Sequence, residues 1–303
     1  MKKCVVVINP ISGHGLNDKL AKKIEKVLIE YNYEPCVYIT KYPRHAEEIV
    51  LDAECDLLIS VGGDGTFYEV MNGNFKRQEK LILSHIPIGT TNDIGHMYGL
   101  DRDIIKSLHM ILEGVVKEVD ICSINGRMFV YVASFGKFME IPYETPQKLK
   151  HRIGHAAYLF NGAKQIFKRI PKYDITYEID GVKHQGKYTF IIISNANRIA
   201  GINNFYRDMK LDDQKFEVMF CSIGNLAKLA HAFYTLKTSD ISYVNGVEYY
   251  KTDNLKITFN NTDKPWCLDG EKYDGNTNVY EIDTKKSVSM LIPTKNIDKL
   301  FLK

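Results

Sequence analysis

The sequence predicts an α/β protein in which a parallel-sheet domain is followed by a second, strand-rich domain. Short β-branched apolar runs alternate with amphipathic helical stretches through the first third of the chain, and three glycine-bearing loops follow three of those runs. Beyond about residue 120, helical spacing gives way to successive strand-like segments. A chain of 303 residues suits two domains or one large one.

Residues 4–8 form a β-branched run of the kind that fills a buried parallel strand. Leu20, Ile24, Val27, Leu28 and Tyr31 then recur at helical spacing with Lys and Glu between them. Residues 36–39 read as a strand and Ala46, Ile49, Val50 and Ala53 as one helix face. Residues 57–61 and 81–87 read as two further strands. Alternation at this interval predicts a parallel sheet covered by helices, whose ligands bind at the carboxyl ends of the strands. In the second part, residues 127–133, 173–179, 187–194, 216–221, 255–259 and 279–282 read as strands, with Asp180-Gly181 as a hairpin turn. Helical stretches over 146–169 and 226–236 interrupt them. There is no internal repeat and no low-complexity tract.

Hydrophobic residues make up 45% and charged residues 25%, a globular mixture, and a net charge of +3 gives no reason to expect a nucleic-acid partner. Cys4, Cys36, Cys55, Cys122, Cys221 and Cys267 form no Cys-x-x-Cys pair, which predicts free thiols in a reducing compartment. The apolar run after Met1-Lys2-Lys3 is too short for a signal peptide and ends in Asn9-Pro10. No stretch approaches the ~18 apolar residues of a membrane span. A cytoplasmic protein is expected.

The first of the three loops is Asn9-Pro10-Ile11-Ser12-Gly13-His14-Gly15. The second is Gly62-Gly63-Asp64-Gly65-Thr66, followed by Glu69 and Asn72-Gly73, and the third is Pro87-Ile88-Gly89-Thr90-Thr91-Asn92-Asp93. Glycine lets backbone N–H groups approach phosphate oxygens, and a following helix N-terminus favours negative charge. Thr66 and Thr90 offer hydroxyl donors, and Asp64 suits a magnesium ion held against a nucleotide. Each loop alone is ordinary turn chemistry. Three at three strand ends predict a nucleotide site, and they match neither the dinucleotide-binding nor the P-loop pattern.

The segment Gly62-Gly63-Asp64-Gly65-Thr66-Phe67-Tyr68-Glu69-Val70-Met71-Asn72-Gly73 resembles the signature of the diacylglycerol kinase catalytic domain family, which includes sphingosine kinases. The third loop resembles that family's second signature. Residues 143–150, Lys210-Leu211-Asp212-Asp213 and Leu268-Asp269-Gly270-Glu271 are similar to segments of the soluble bacterial diacylglycerol kinases. The resemblance covers nearly the whole chain. It implies an α/β nucleotide domain of the kind shared with NAD kinases, over 1–122 and completed by 290–303, and a β-sandwich lipid-substrate domain over 123–289. It also implies ATP and Mg²⁺ as cofactors. The implied nucleotide contacts are Asn9, Pro10, Ile11, Ser12, Gly13, Thr40, Gly62, Gly63, Asp64, Gly65, Thr66, Phe67, Tyr68, Glu69, Thr90, Asn92 and Asp93.

Transfer to an alcohol needs a group that takes the hydroxyl proton, and a carboxylate suits that role. Asp269 and Glu271 sit at an Asp-Gly turn that could be a plain hairpin. The resemblance implies Glu271 as the base, whereas the sphingosine kinase branch favours the aspartate at Asp64, which stays a rival. Lys210, Asp213 and Lys215 correspond to a structural Mg²⁺ site, the two lysines acting only through backbone carbonyls. Two departures stand out: Gln214 where a glycine is usual, and His96 where arginine is common. If the backbone at 214 needs a positive φ, the metal site is expected to be distorted or empty.

The expected partner is a lipid alcohol at the membrane surface. Between residues 148 and 172 there are seven Lys or Arg and no Asp or Glu. Leu149, Ile153, Ala156, Phe160, Ala163 and Phe167 form a helical stripe there, which suits either an anionic leaflet or the domain core. A sphingoid base, ceramide, undecaprenol or NAD remains open as acceptor, as do a homodimer and a non-catalytic lipid or nucleotide sensor on the same scaffold.

Overall fold

The computed structural model describes residues 1–12, 18–101, 103–136, 170–199, 202–203, 206, 208–225, 228–229, 231–232, 235, 244–260 and 264–302. The expected helix over 146–169 and the basic segment 148–172 lie almost wholly outside the described residues, as does most of 226–236. The chain forms two compact units, Met1–Val119 with Ser287–Lys303, and Asp120–Lys286.

In the first unit β1 (Lys2–Ile8), β2 (Tyr33–Ile39), β3 (Leu57–Gly62) and β4 (Ile82–Pro87) lie parallel in the order β2-β1-β3-β4. Cys4 to Ile8 and all of β3 are buried, as a strand covered on both faces requires, while β2 is a half-exposed edge that tolerates Pro35. Five helices, α1 (Asp18–Glu30), α2 (His45–Asp52), α3 (Asp64–Lys76), α4 (Asp93–Met97) and α5 (Ile104–Leu112), follow the strands in sequence. In α1, Ile24 and Leu28 are fully buried. From β1 the chain moves first to β2 on one side and then to β3 on the other. That reversal opens a crevice at the strand carboxyl ends between β1 and β3, the usual ligand position in such sheets. Near the carboxyl end of the chain Met290 pairs parallel with Leu83, and the Ser84 hydroxyl donates to the Leu291 carbonyl at 2.8 Å.

The second unit is built from antiparallel strands. β5 (Val115–Ile124) leads into β6 (Arg127–Phe129), β7 (Val132–Gly136), β8 (Tyr173–Ile179), β9 (Val182–Tyr188) and β10 (Phe190–Ser194). The short pair β11 (Arg198–Ile199) and β12 (Ile202–Asn203) precedes β13 (Phe216–Cys221), β14 (Val247–Thr252), β15 (Asn254–Phe259), β16 (Trp266–Leu268), β17 (Glu271–Tyr273) and β18 (Val279–Ile292). The last helix, α6 (Ile297–Leu300), belongs to the first unit. One layer of the second unit runs β18-β15-β8-β9 and the other β14-β13-β10-β7-β16-β17. Their inner faces share one core. Tyr177 stacks on Phe220 at 4.0 Å, Phe259 meets Phe135 at 4.4 Å, and Tyr280 meets Trp266 at 5.4 Å. This is the expected β-sandwich.

Several elements differ from the sequence reading for a physical reason. The run 187–194 is continuous in character, yet the chain changes sheets at Thr189. There the backbone N–H and the hydroxyl both donate to the Cys221 carbonyl, at 2.7 and 2.9 Å. The run 127–133 is likewise broken at Val130 and Tyr131, whose N–H groups bond a distant carboxylate. Residues 279–282 extend into a 14-residue strand. α5, capped by Asp103 with Leu108 and Ile111 buried at helical spacing, and β14 emerge only here. The Asp180-Gly181 turn is as expected, both residues having positive φ (52° and 77°).

Candidate nucleotide and phosphoryl-transfer site

Four strand-end loops of the first unit are tied to one another. The Asn9 N–H donates to the Val61 carbonyl at 3.0 Å, Ile88 N–H to Gly62 at 2.8 Å, and Thr40 N–H to Ile8 at 2.8 Å. Asn9 Nδ2 donates to Thr66 Oγ1 at 2.9 Å, while its Oδ1 accepts from Ile11 N–H at 3.0 Å and so shapes the first loop. Ser12 N–H closes the same turn on the Asn9 carbonyl. The second and third loops touch backbone to backbone. A Cβ on Gly89 would lie 2.7 Å from Gly63 Cα, closer than real contacts allow.

Asp64 opens α3, and its two carboxylate oxygens face the first N–H groups of α4, accepting from Asp93 at 3.3 Å and Ile94 at 3.4 Å. The Asn92 side chain does not cap α4, so Asp64 reaches across to that helix end. Asn92 itself is buried in the left-handed conformation (φ 52°). Its Oδ1, 3.0 Å from where a Gly89 Cβ would sit, has no hydrogen-bond partner among the described residues. A buried acceptor without a donor is rare and calls for one.

Not every expected contact residue faces this junction. Phe67 is 1% exposed, its ring lies on His85 at 4.8 Å, and its N–H is bonded to the Gly63 carbonyl. Tyr68 is also buried. Glu69 accepts the Arg44 N–H at 2.9 Å, which pins the turn after Thr40, where Arg44 has φ 69°. In that turn Tyr42 stacks on His45 at 4.6 Å. Pro10, Ile11, Gly65 and Thr90 are exposed, and Gly13 lies outside the described residues.

In the second unit Asp269 and Gly270 have positive φ (50° and 92°) and form the tight turn between β16 and β17, with Leu268 opposite Glu271. The Asp269 carboxylate is buried and accepts three consecutive backbone N–H groups, from Val130 at 2.5 Å and from Tyr131 and Val132 at 3.0 Å. It therefore fixes the hairpin, and Glu271 stands exposed at the start of β17.

Gln214 has φ 57°, the left-handed backbone that glycine usually supplies, and its N–H donates to the Asp120 carboxylate. Asp213 Oδ2 is 2.6 Å from Lys251 Nζ, and its Oδ1 accepts the Lys215 N–H at 3.1 Å. Both oxygens of the one carboxylate in the expected Lys210, Asp213, Lys215 metal set are thus engaged. Among the described residues no three His, Cys, Asp or Glu side chains are grouped to hold a metal. With both oxygens held by protein donors, Asp213 does not fit the part of a magnesium ligand. Sequence reasoning missed Asp120, Glu217 and Lys251 here. No local pattern marks them: Glu217 and Lys251 meet only through the β13–β14 pairing, and Asp120 reaches Gln214 from β5.

Burial pushes Asp120 and Asp269 up to about 6 and Glu217 up to about 8, although bonded N–H groups and Lys251 pull the other way. For each carboxyl the unfolded chain releases its proton at lower pH than the native one. Stability that is present below about pH 4 is then lost as the pH rises through 6 and 8. The urea midpoint is expected to fall between pH 5 and pH 8.5; a level or rising midpoint contradicts the assignment.

The diacylglycerol kinase catalytic domain pattern matches residues 3–124. A Staphylococcus epidermidis protein named diacylglycerol kinase is 31% identical over 295 residues, spanning 96% of this chain and 92% of the relative. The chain belongs to the diacylglycerol kinase family. A Bacillus subtilis diacylglycerol kinase is 29% identical across 99% of both chains. A crystal structure of a diacylglycerol kinase from Bacillus anthracis str. Sterne covers 98% of each chain with a TM-score of 0.76. At 21% identity that likeness shows the shared fold alone. A lipid kinase family implies ATP use. Gly63 and Gly89 let the second and third loops meet backbone to backbone at the strand ends, and the Asn92 Oδ1 acceptor suits a ribose hydroxyl or a metal-bound water. No helix among the described residues is long and apolar enough to cross a membrane.

Proposed function

We propose that this chain transfers the γ-phosphate of ATP to the hydroxyl of diacylglycerol, or of a closely related lipid alcohol. The observation that carries this reading is the junction of strand-end loops, where Gly63 meets Gly89 and a buried Asn92 acceptor awaits a donor. The family's relatives carry the kinase name, and the Asn92 acceptor suits a ribose hydroxyl or a water on the nucleotide's metal.

In this reading Asn9, Thr40, Gly62, Gly63, Thr66, Thr90 and Asn92 hold the nucleotide. Asp64 and Asp93 organise its magnesium ion, which would offset the negative charge of the phosphates. Glu271 takes the proton of the lipid hydroxyl. The freed oxygen forms a bond to the γ-phosphorus as the bond to the β-phosphate oxygen breaks, and ADP leaves. A glycerolipid hydroxyl sits at the water interface, so the enzyme works without spanning the bilayer. The basic segment 148–172 is the candidate for contact with an anionic leaflet.

The test supplies γ-labelled ATP with micelles of diacylglycerol, sphingosine, ceramide or undecaprenol, and with NAD in solution. Label is expected in diacylglycerol at about tenfold or more over each other acceptor, the discrimination that about 1.4 kcal/mol of transition-state binding provides. Label passing mainly to NAD, or ATP consumption indifferent to every acceptor, rejects the proposal.

A further inference from the structure

The one carboxylate that the family resemblance gives to a metal, Asp213, is engaged here by a side chain. Lys251 Nζ lies 2.6 Å from Asp213 Oδ2, 3.4 Å from Glu217 Oε1 and 3.0 Å from the Asp208 carbonyl, to which it donates. An ammonium group has three N–H donors and no acceptor, and three oxygens from three residues surround it. Two carboxylates and a carbonyl are also the ligands a hard divalent cation takes. A second cation on the same oxygens would be repelled by the ammonium.

The arrangement is built into the sheet. Glu217 on β13 and Lys251 on β14 are directly opposite in the antiparallel register, and Glu217 is 0% exposed. Neither Glu217 oxygen has a hydrogen-bond partner among the described residues, so the nearby ammonium, an ion-pair contact at 3.4 Å, is what offsets this buried carboxyl group. A buried carboxylate without a cation is costly, and Lys251 is the cation that the fold supplies. The other side of the segment leading into β13 is held independently. Asp120 donates its N–H to the Leu211 carbonyl at 2.7 Å and accepts the Gln214 N–H.

We propose that Lys251 is a tethered cation that takes the place of the structural magnesium ion, so that the segment 208–215 is held without any divalent metal. Gln214 keeps the left-handed backbone (φ 57°) at the position where glycine is usual, and its N–H is held by Asp120 rather than by anything around an ion. The inference concerns stability and metal binding in the absence of nucleotide, and so stands apart from the reading of the reaction.

The test uses the full chain without ATP or lipid. Wild-type protein is expected to unfold at the same temperature in EDTA and in millimolar Mg²⁺, and to bind no Mn²⁺ tightly. Lys251→Met leaves the Asp213 carboxylate without its cation and removes the ammonium beside Glu217. Its Tm is expected to fall by about 10 °C in EDTA, the effect of breaking a largely buried ion pair in a domain of this size, and to recover at least half of that in Mg²⁺. Lys251→Arg, which keeps the charge, should stay close to wild type. A wild-type chain that binds one Mn²⁺ tightly without nucleotide, and loses it in Asp213→Asn, overturns the proposal. So does a Lys251→Met variant with unchanged Tm, or one destabilised with no response to metal. If Lys251→Met folds only when Mg²⁺ is present, the proposal stands; if it folds in neither, the wild-type Mn²⁺ measurement decides.

Discussion

Replacing Glu271 by alanine is expected to lower phosphoryl transfer to the lipid hydroxyl by about a thousandfold, the usual contribution of a positioned base, while ATP binds as before. The argument begins with what the substitution leaves alone. Glu271 is exposed at the start of β17, and the hairpin that presents it is held by Asp269 through three backbone N–H groups. Removing the Glu271 side chain therefore breaks no described packing or turn. A loss of turnover then reports chemistry rather than folding. The measurement is labelled transfer from ATP to dispersed diacylglycerol beside equilibrium binding of a fluorescent nucleotide. Turnover at the wild-type level in Glu271→Ala removes it as the base and hands that role to Asp64. The structure gives Asp64 other work, since its carboxylate faces the N-terminus of α4.

Gly89→Ala is expected to weaken ATP binding by about tenfold or more and to lower Tm by several degrees. The added methyl would sit 2.7 Å from Gly63 Cα and 3.0 Å from Asn92 Oδ1. Neither neighbour is the loose end of a long side chain, so the two loops must part. Overpacking of this kind costs about 1–3 kcal/mol, and each 1.4 kcal/mol taken from the bound state is a factor of ten in affinity. Gly65→Ala is the matched control. Nothing lies within 4 Å of its Cβ, and alanine within a helix gains about 0.5–1 kcal/mol over glycine. If Gly65→Ala weakens ATP binding without lowering Tm, the triphosphate runs over the first turn of α3. Wild-type ATP affinity in Gly89→Ala would sink the assignment of this junction as the nucleotide site.

The first unit was largely legible because its signals are local. A strand buried on both faces must be apolar throughout, as residues 4–8 and 57–61 are, and an amphipathic helix must repeat at its own pitch, as α1 does. The three loops could be found for the same reason, since glycine after a strand is a property of adjacent residues. The site was legible as a set of loops, but not as a set of roles. Phe67 and Tyr68 belong to the same signature as Gly63 yet turn into the interior, because successive residues of a helix face different directions.

By itself, the sequence determined the strand-and-helix alternation of the first unit, the strand-rich second unit, the Asp180-Gly181 turn, and the positions of the glycine loops. Tertiary structure alone decided that Asp269 holds residues 130–132, that the chain changes sheets at Thr189, that Asp64 caps α4, and that Lys251 meets Asp213 and Glu217. Periodicity and turn chemistry act over a few neighbouring residues. A carboxylate's partner is whichever N–H or ammonium the finished sheet brings within about 3 Å, and no local pattern encodes which one that is.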